Sequence, residues 1–180
     1  MLTALRFAAD KHKNQRRKDE EASPYINHPI AVADTLWQIG EVRDVVTIVG
    51  ALLHDTIEDT ETEPSEIETL FGKEVLSLVQ EMSDDKSLPK ATRKQLQIEH
   101  APHISTRAKQ LKLSDKICNV RDIATSPPSH WDWQRRLDYL DWTEQVVRGI
   151  RGTSPRLESL YDEVTTAARQ KLAEERPTTQ

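Results

Sequence analysis

The chain has 180 residues, a length that fits one domain with one sizeable core. Its hydrophobic share is 36% and its charged share 31%, the balance of a helical domain with a heavily charged exterior. The formal net charge of −5 gives no support for nucleic-acid binding, so an anionic ligand needs a local positive patch or a metal ion.

Five glycines argue against a fold built on tight hairpins, and the apolar spacing is helical instead. Leu2, Leu5, Ala8 and Ala9 predict a helix over residues 2–13. Residues 15–27 are polar and contain Pro24, which predicts a loop. A helix is expected to start at Pro29, carry Ile30, Ala33, Leu36 and Trp37 on one face, and stop at Gly40. Residues 43–55 are nearly continuously apolar. The β-branched Val45, Val46, Ile48 and Val49 would also suit a strand, but the length favours a central helix surrounded by others. Pro64 and Gly72 bracket a helix carrying Ile67, Leu70 and Phe71, and Val75, Leu76, Leu78 and Val79 mark the next. After the loop SDDKSLPK, helices are expected over 90–100, 104–124, 129–149 and 155–174. The sum is a compact all-α fold of roughly eight to ten helices.

The single cysteine, Cys118, excludes an intramolecular disulfide and a cysteine-rich zinc site, and is compatible with a reducing cytoplasm. MLTALRFAADKHK lacks the apolar core of a signal peptide, and no run approaches the ~20 apolar residues of a membrane span.

His54 and Asp55 stand side by side where the apolar run ends, in ALLHDTIEDT. Helix neighbours point about 100° apart, so one ion meets both only at the seam between them. An imidazole nitrogen and a carboxylate oxygen bind a divalent ion at about 2.0–2.2 Å. His28, in PYINHPI, precedes a helix-starting proline, where rigid backbone can hold an imidazole still. Asp115, in KLSDKICN, shares a stripe with Lys112 and Asn119 beside the apolar Leu113, Ile117, Val120 and Ala124. Glu58 and Asp59 follow His54 and Asp55 by four positions, so one further turn of helix sets each carboxylate above a candidate ligand. Each group also has an ordinary reading: a surface pair or cap, a satisfied loop histidine, a solvated Lys–Asp face, an acidic loop. KHKNQRRK is the densest basic stretch of the chain and supplies Arg17 and Lys18.

The order His28, His54–Asp55, Asp115 resembles the HD superfamily of metal-dependent phosphohydrolases. RRKDEEASPYINHPI, ALLHDTIEDT, FGKEVLSLVQEMSDDKSLPK and AKQLKLSDKICNVRDI look like the hydrolase domain of the RelA/SpoT homologues. The match is closest to the small stand-alone hydrolases of the metazoan SpoT homologue type.

That resemblance implies one ion, usually Mn²⁺, held by His28, His54, Asp55 and Asp115, with Fe²⁺, Zn²⁺ or Co²⁺ able to take its place. It implies catalytic roles for Glu58 and Asp59. It places Arg17, Lys18, Asn119, Arg135 and Tyr139 at the nucleotide, with plain surface charge the alternative for Arg135. The implied reaction is hydrolysis of the 3′-pyrophosphate of guanosine tetra- and pentaphosphate, with removal of the 2′-phosphate of NADPH as the alternative. All six ligand and water-handling positions are filled, which favours an enzyme over a non-catalytic sensor. The expected organisation is one domain over residues 1–174 and a polar tail over 175–180, with no room for a synthetase. Small-molecule nucleotides are the expected partners, with neither nucleic acid nor membrane. Arg16, His12, His100, His103 and His130 are expected at the surface, and Cys118 in packing. Trp131, Trp133 and Trp142 are read as core or partner surface.

Overall fold

Ten helices follow one another among residues 1–176, the part of the chain that the computed structural model describes. They are α1 (Leu2–Lys11), α2 (Asn27–Gln38), α3 (Val45–Leu53), α4 (Thr56–Asp59) and α5 (Pro64–Phe71). α6 (Lys73–Met82), α7 (Lys90–His100), α8 (Thr106–Thr125), α9 (Trp133–Arg148) and α10 (Pro155–Glu174) follow. Among the described residues there is no strand, only an isolated bridge between Arg16 and Pro24, so the all-α expectation holds. Most of the tail expected over 175–180 lies outside the described residues. No described helix is long and apolar enough to cross a membrane.

The core is built around α3 and α8. Every residue from Thr47 to Leu53 is buried, as an all-apolar helix requires when others surround it. Asp44 caps α3, accepting from the Thr47 amide at 2.9 Å, which satisfies one of the amides a helix start leaves free. Gly50 permits close contact with α6: a Cβ there would lie 2.5 Å from Leu78 Cδ2. α8 packs against α2, α3, α6, α9 and α10, and residues Leu111 to Cys118 are buried on all sides. Ser105 caps α8 and Asp132 caps α9, while Pro64 and a reciprocal Glu63–Glu66 capping box start α5.

Three of the boundaries that move do so for a local reason. The second helix starts at Asn27, so His28 and Pro29 lie inside its first turn, where a proline amide is not needed. The helix expected over 129–149 begins only at Trp133, behind the Asp132 cap. The central helix stops at Leu53 and resumes as the one-turn α4. At that break the Thr56 hydroxyl donates to the Leu53 carbonyl at 2.7 Å, and His54 Nδ1 donates to the Ala51 carbonyl at 2.8 Å. Side-chain donors thus take carbonyls that the helix ladder would otherwise use.

Candidate metal centre

Three elements deliver the candidate ligands: the first turn of α2 brings His28, the α3–α4 break brings His54 and Asp55, and the middle of α8 brings Asp115. His28, His54 and Asp115 each turn one ligand atom inward so that the three lie within 4.8 Å of one another, all buried. His28 Nε2 lies 3.1 Å from Asp115 Oδ1 and 4.0 Å from Asp55 Oδ2. His54 Nε2 lies 3.1 Å from Asp55 Oδ2 and 3.8 Å from Asp115 Oδ1. Helix α8 and the α3–α4 break are fixed by core packing on their apolar sides, which holds the four groups together.

The donor chemistry fits a divalent ion. His54 Nε2 is buried and lacks a hydrogen bond of good geometry, with Asp55 Oδ2 3.1 Å away. Its Nδ1 is tied to the Ala51 carbonyl, which orients Nε2 into the cluster. Two imidazoles and two carboxylates are a mixed hard and borderline set, suited to a first-row dication. Burial disfavours charge on His54, but neighbouring Asp55 and Asp115 outweigh it and push its pKa up to about 9. Burial likewise opposes ionisation of Asp55, yet His54 and His28 hold it below the usual carboxylate range. Asp115 is also held well below that range, its burial outweighed by Lys116 and His28.

Helical spacing names one polar partner of Asp115, Asn119, and misses the other. Lys116, not Lys112, pairs with Asp115, Nζ to Oδ2 at 2.9 Å. Asn119 donates to the other oxygen, Oδ1, at 2.7 Å. Lys112 is buried without a paired carboxylate; burial and the nearby Lys116 lower its pKa to about 8. Tyr25 donates to Asp55 Oδ2 at 2.6 Å and lies 3.3 Å from Asp59 Oδ2. Helical periodicity cannot reveal Tyr25, which lies in a loop; only its place in PYINHPI, three residues before His28, marks it.

Glu58 and Asp59 diverge. Asp59 carries the Lys86 ion pair and lines the large cleft. Glu58 turns away, accepting from the Asp84 amide at 2.9 Å with Arg93 at 3.6 Å, and is absent from the cleft wall. Burial, together with Asp84, Asp59 and Asp55, raises the pKa of Glu58.

The cleft has a volume of about 720 Å³ and opens onto His28, Asp59, Asn119, Arg17, Lys18 and Tyr139. Arg17 pairs with Asp122 and lies 5.7 Å from the Tyr25 ring, so its planar face is held in place. Tyr139 sits between Trp131 and Trp142, each ring 5.4 Å away. Arg135 is exposed, stacks over Trp131 at 4.6 Å and stands outside the cleft wall. Lys90 and Lys94 add charge at this side. Burial lowers both pKa values, and each feels Arg135 and other nearby cations. This crowding is the local positive patch that an acidic chain needs to attract an anion.

Arg16, His100, His103 and His130 are exposed as expected, and Cys118 is buried in packing. The three tryptophans are partly buried against the core. His12 is a correction: only 2% of its surface is exposed. It lies beneath the loop after α1, its ring 4.8 Å from Tyr25, where the polar stretch around it folds back over the site.

Residues 4–138 match the family described as HD domain. The guanosine-3′,5′-bis(diphosphate) 3′-pyrophosphohydrolase MESH1 of Danio rerio is 52% identical over 158 residues, 88% of each chain. Its Homo sapiens counterpart is 51% identical over the same share of both chains. A solved structure described as a metazoan ortholog of SpoT that hydrolyzes ppGpp superposes with a TM-score of 0.90 at 44% identity, covering 94% of each chain. With its buried histidine–aspartate cluster in place and this similarity along nearly its whole length, the chain belongs to the HD domain family, among the MESH1 hydrolases.

Proposed function

We propose that the protein is a Mn²⁺-dependent hydrolase that removes the 3′-pyrophosphate of guanosine tetra- and pentaphosphate, releasing pyrophosphate with GDP or GTP. The observation that carries this reading is the buried His28–His54–Asp115 cluster, joined by Asp55, at a cleft that presents Arg17 and Lys18 and is large enough for a nucleotide. The activity named for the similar proteins supports it.

In this reading His28, His54, Asp55 and Asp115 hold the ion. When bound, a divalent cation offsets phosphate charge and makes water more acidic. The chain's own groups do the rest. Asp59, facing the cleft, orients the attacking water and takes its proton; Lys86 and Tyr25 keep the carboxylate pointed there. The water oxygen bonds to the phosphorus next to the ribose 3′ oxygen, that P–O bond breaks, the 3′ oxygen takes a proton from solvent in the open cleft, and Asp59 returns to solvent the proton it took from the water. Glu58, held by the Asp84 amide and Arg93 outside the cleft wall, supports the turn that carries Asp59 and does not itself touch substrate. Arg17 stacks on the purine, Lys18 offsets phosphate charge, and Asn119 and Tyr139 contact ribose or phosphate. Arg135 meets the outer phosphates from the rim. Residues 1–174 form the working domain.

The test is a manganese-reconstituted panel of guanosine tetraphosphate, guanosine pentaphosphate and NADPH, with products separated by anion-exchange chromatography. Pyrophosphate with GDP or GTP is the expected outcome. Orthophosphate from NADPH, without pyrophosphate from either guanosine substrate, would overturn the assignment.

A further inference from the structure

We infer that Tyr25 is a positioning residue shared by the ion-holding and water-handling carboxylates, and that buried His12 and Gln15 form the strut that fixes it. The inference rests on the proposed roles of Asp55 and Asp59, and extends the Tyr25 contact with Asp59 to Asp55 and to the residues that hold Tyr25 itself.

The phenol of Tyr25 has one proton and two carboxylate neighbours, Asp55 Oδ2 at 2.6 Å and Asp59 Oδ2 at 3.3 Å. Asp55 comes from the α3–α4 break and Asp59 from the end of α4, so one side chain sets the spacing between two functions. The proton goes to Asp55, and the longer approach to Asp59 sets the distance between the two carboxylates with a side chain that is already in place.

Tyr25 lies in the loop between α1 and α2, and a loop residue alone would not hold a carboxylate to within tenths of an ångström. Gln15 supplies the anchoring. Its backbone carbonyl accepts from the Tyr25 amide at 3.2 Å. Its side-chain amide nitrogen donates to the backbone carbonyl of Asp59. Helix α4 has only four residues, so this carbonyl lacks a partner within the helix, and Gln15 supplies one from outside. The Gln15 side-chain oxygen accepts from His12 Nδ1 at 2.6 Å, which fixes the amide orientation. His12 is in turn clamped by burial and by its tilted stack on the Tyr25 ring. The loop is thereby closed: His12 orients Gln15, Gln15 holds the Asp59 backbone and the Tyr25 backbone, and Tyr25 reaches both carboxylates.

This accounts for a costly arrangement. A histidine with its Nε2 buried and unpartnered among the described residues stands where an apolar residue would pack at less cost. A role confined to packing would not require Nδ1 to meet an amide oxygen.

The experiment compares Tyr25→Phe, Gln15→Met, His12→Asn and His12→Leu by three measurements: Mn²⁺ affinity of the metal-free protein by calorimetry, steady-state kinetics, and thermal melting. Tyr25→Phe keeps the ring and its stack while removing the phenol. It is expected to weaken Mn²⁺ binding about tenfold and lower kcat about tenfold or more, with KM changed less than about threefold. Gln15→Met is expected to lower kcat with little effect on Mn²⁺ affinity, since it acts on Asp59. His12→Asn keeps a donor near the position of Nδ1 and is expected to recover most of the activity that His12→Leu loses. Mn²⁺ affinity and kcat both within about twofold of wild type in Tyr25→Phe would overturn the inference, as would equal losses in His12→Asn and His12→Leu at matched melting temperatures. The affinity measurement does not depend on the substrate. A protein inactive on guanosine tetraphosphate whose Tyr25→Phe variant still loses Mn²⁺ affinity would refute the proposed reaction and leave the brace standing.

Discussion

His28 Nε2 and Asp115 Oδ1 lie 3.1 Å apart although 87 positions separate them in the chain. Neither residue can be held there by its own helix. α2 and α8 pack directly, with Val32 and Leu36 of one and Leu111 and Ile117 of the other fully buried. The Ser114 hydroxyl adds a bond to the Val32 carbonyl at 2.9 Å. The contact between two site residues is thus a property of the core, and stability and ion binding are linked through it.

Ion binding should depend on pH with a definite sign. In the metal-free protein the His54 pKa is raised from 6.5 to about 9, so its charged form contributes stability below 6.5 that disappears as pH rises through about 9. Asp55 and Asp115 have the opposite sign: both are depressed, and their contribution is lost as pH falls towards their folded values. An ion must displace the His54 proton, so apparent Mn²⁺ affinity should rise about tenfold per pH unit below 9 and level off above it. Calorimetric titrations in buffers of different ionisation enthalpy measure both the affinity and the proton released. A pH-independent affinity with no proton release would rule this out.

The two water-handling carboxylates should separate on substitution. Asp59 faces the cleft and Glu58 does not, so Asp59→Asn is expected to lower kcat by about 10²–10⁴-fold and Glu58→Gln by less. Melting curves of both variants should stay within a few degrees of wild type. Single-turnover kinetics isolate the chemical step, and an equal or greater loss in Glu58→Gln would reverse the assignment.

Arg17 should act on binding. Its guanidinium is held by Asp122 against the Tyr25 face and lines the cleft without touching the ligand cluster. Arg17→Ala is expected to raise KM about tenfold with kcat changed less than about threefold, in steady-state assays at saturating Mn²⁺. A fall in kcat at constant KM would assign Arg17 to the transition state instead.

Gly50 tests the link between packing and site. Gly50→Ala would place a methyl 2.5 Å from Leu78 Cδ2 and 3.1 Å from Leu78 Cγ, and Leu78 is itself buried. The expected cost is about 1–3 kcal/mol, read as a lower denaturant midpoint, with weaker Mn²⁺ binding because α3 carries His54 at its end. An unchanged midpoint would mean that α3 and α6 can move apart without cost.

Much of this is legible in the sequence. Apolar spacing located the helices because burial imposes its own period on the sequence, and the quoted motifs located His28, His54, Asp55 and Asp115. Side-chain competition for backbone carbonyls was harder to read. The apolar run through residue 55 gave no sign that Thr56 and His54 would break the helix between them. Pair rules for exposed helices also misled at Asp115. They favour partners three or four positions away, yet the adjacent Lys116 curls back to it, confined by burial and by the Trp142 ring 4.7 Å from its Nζ. His12 looked like a surface residue because its neighbours are charged, and only the folding of the α1–α2 loop over the site buries it.

The most direct test of the central claim is elemental analysis of manganese-loaded, gel-filtered protein, wild type beside His54→Ala and Asp115→Asn, with circular dichroism to verify folding. About one ion per chain in the wild type and less than about a tenth in each folded variant is the expected result. Equal manganese content in all three folded proteins would show that the histidine–aspartate cluster is not where the ion is held.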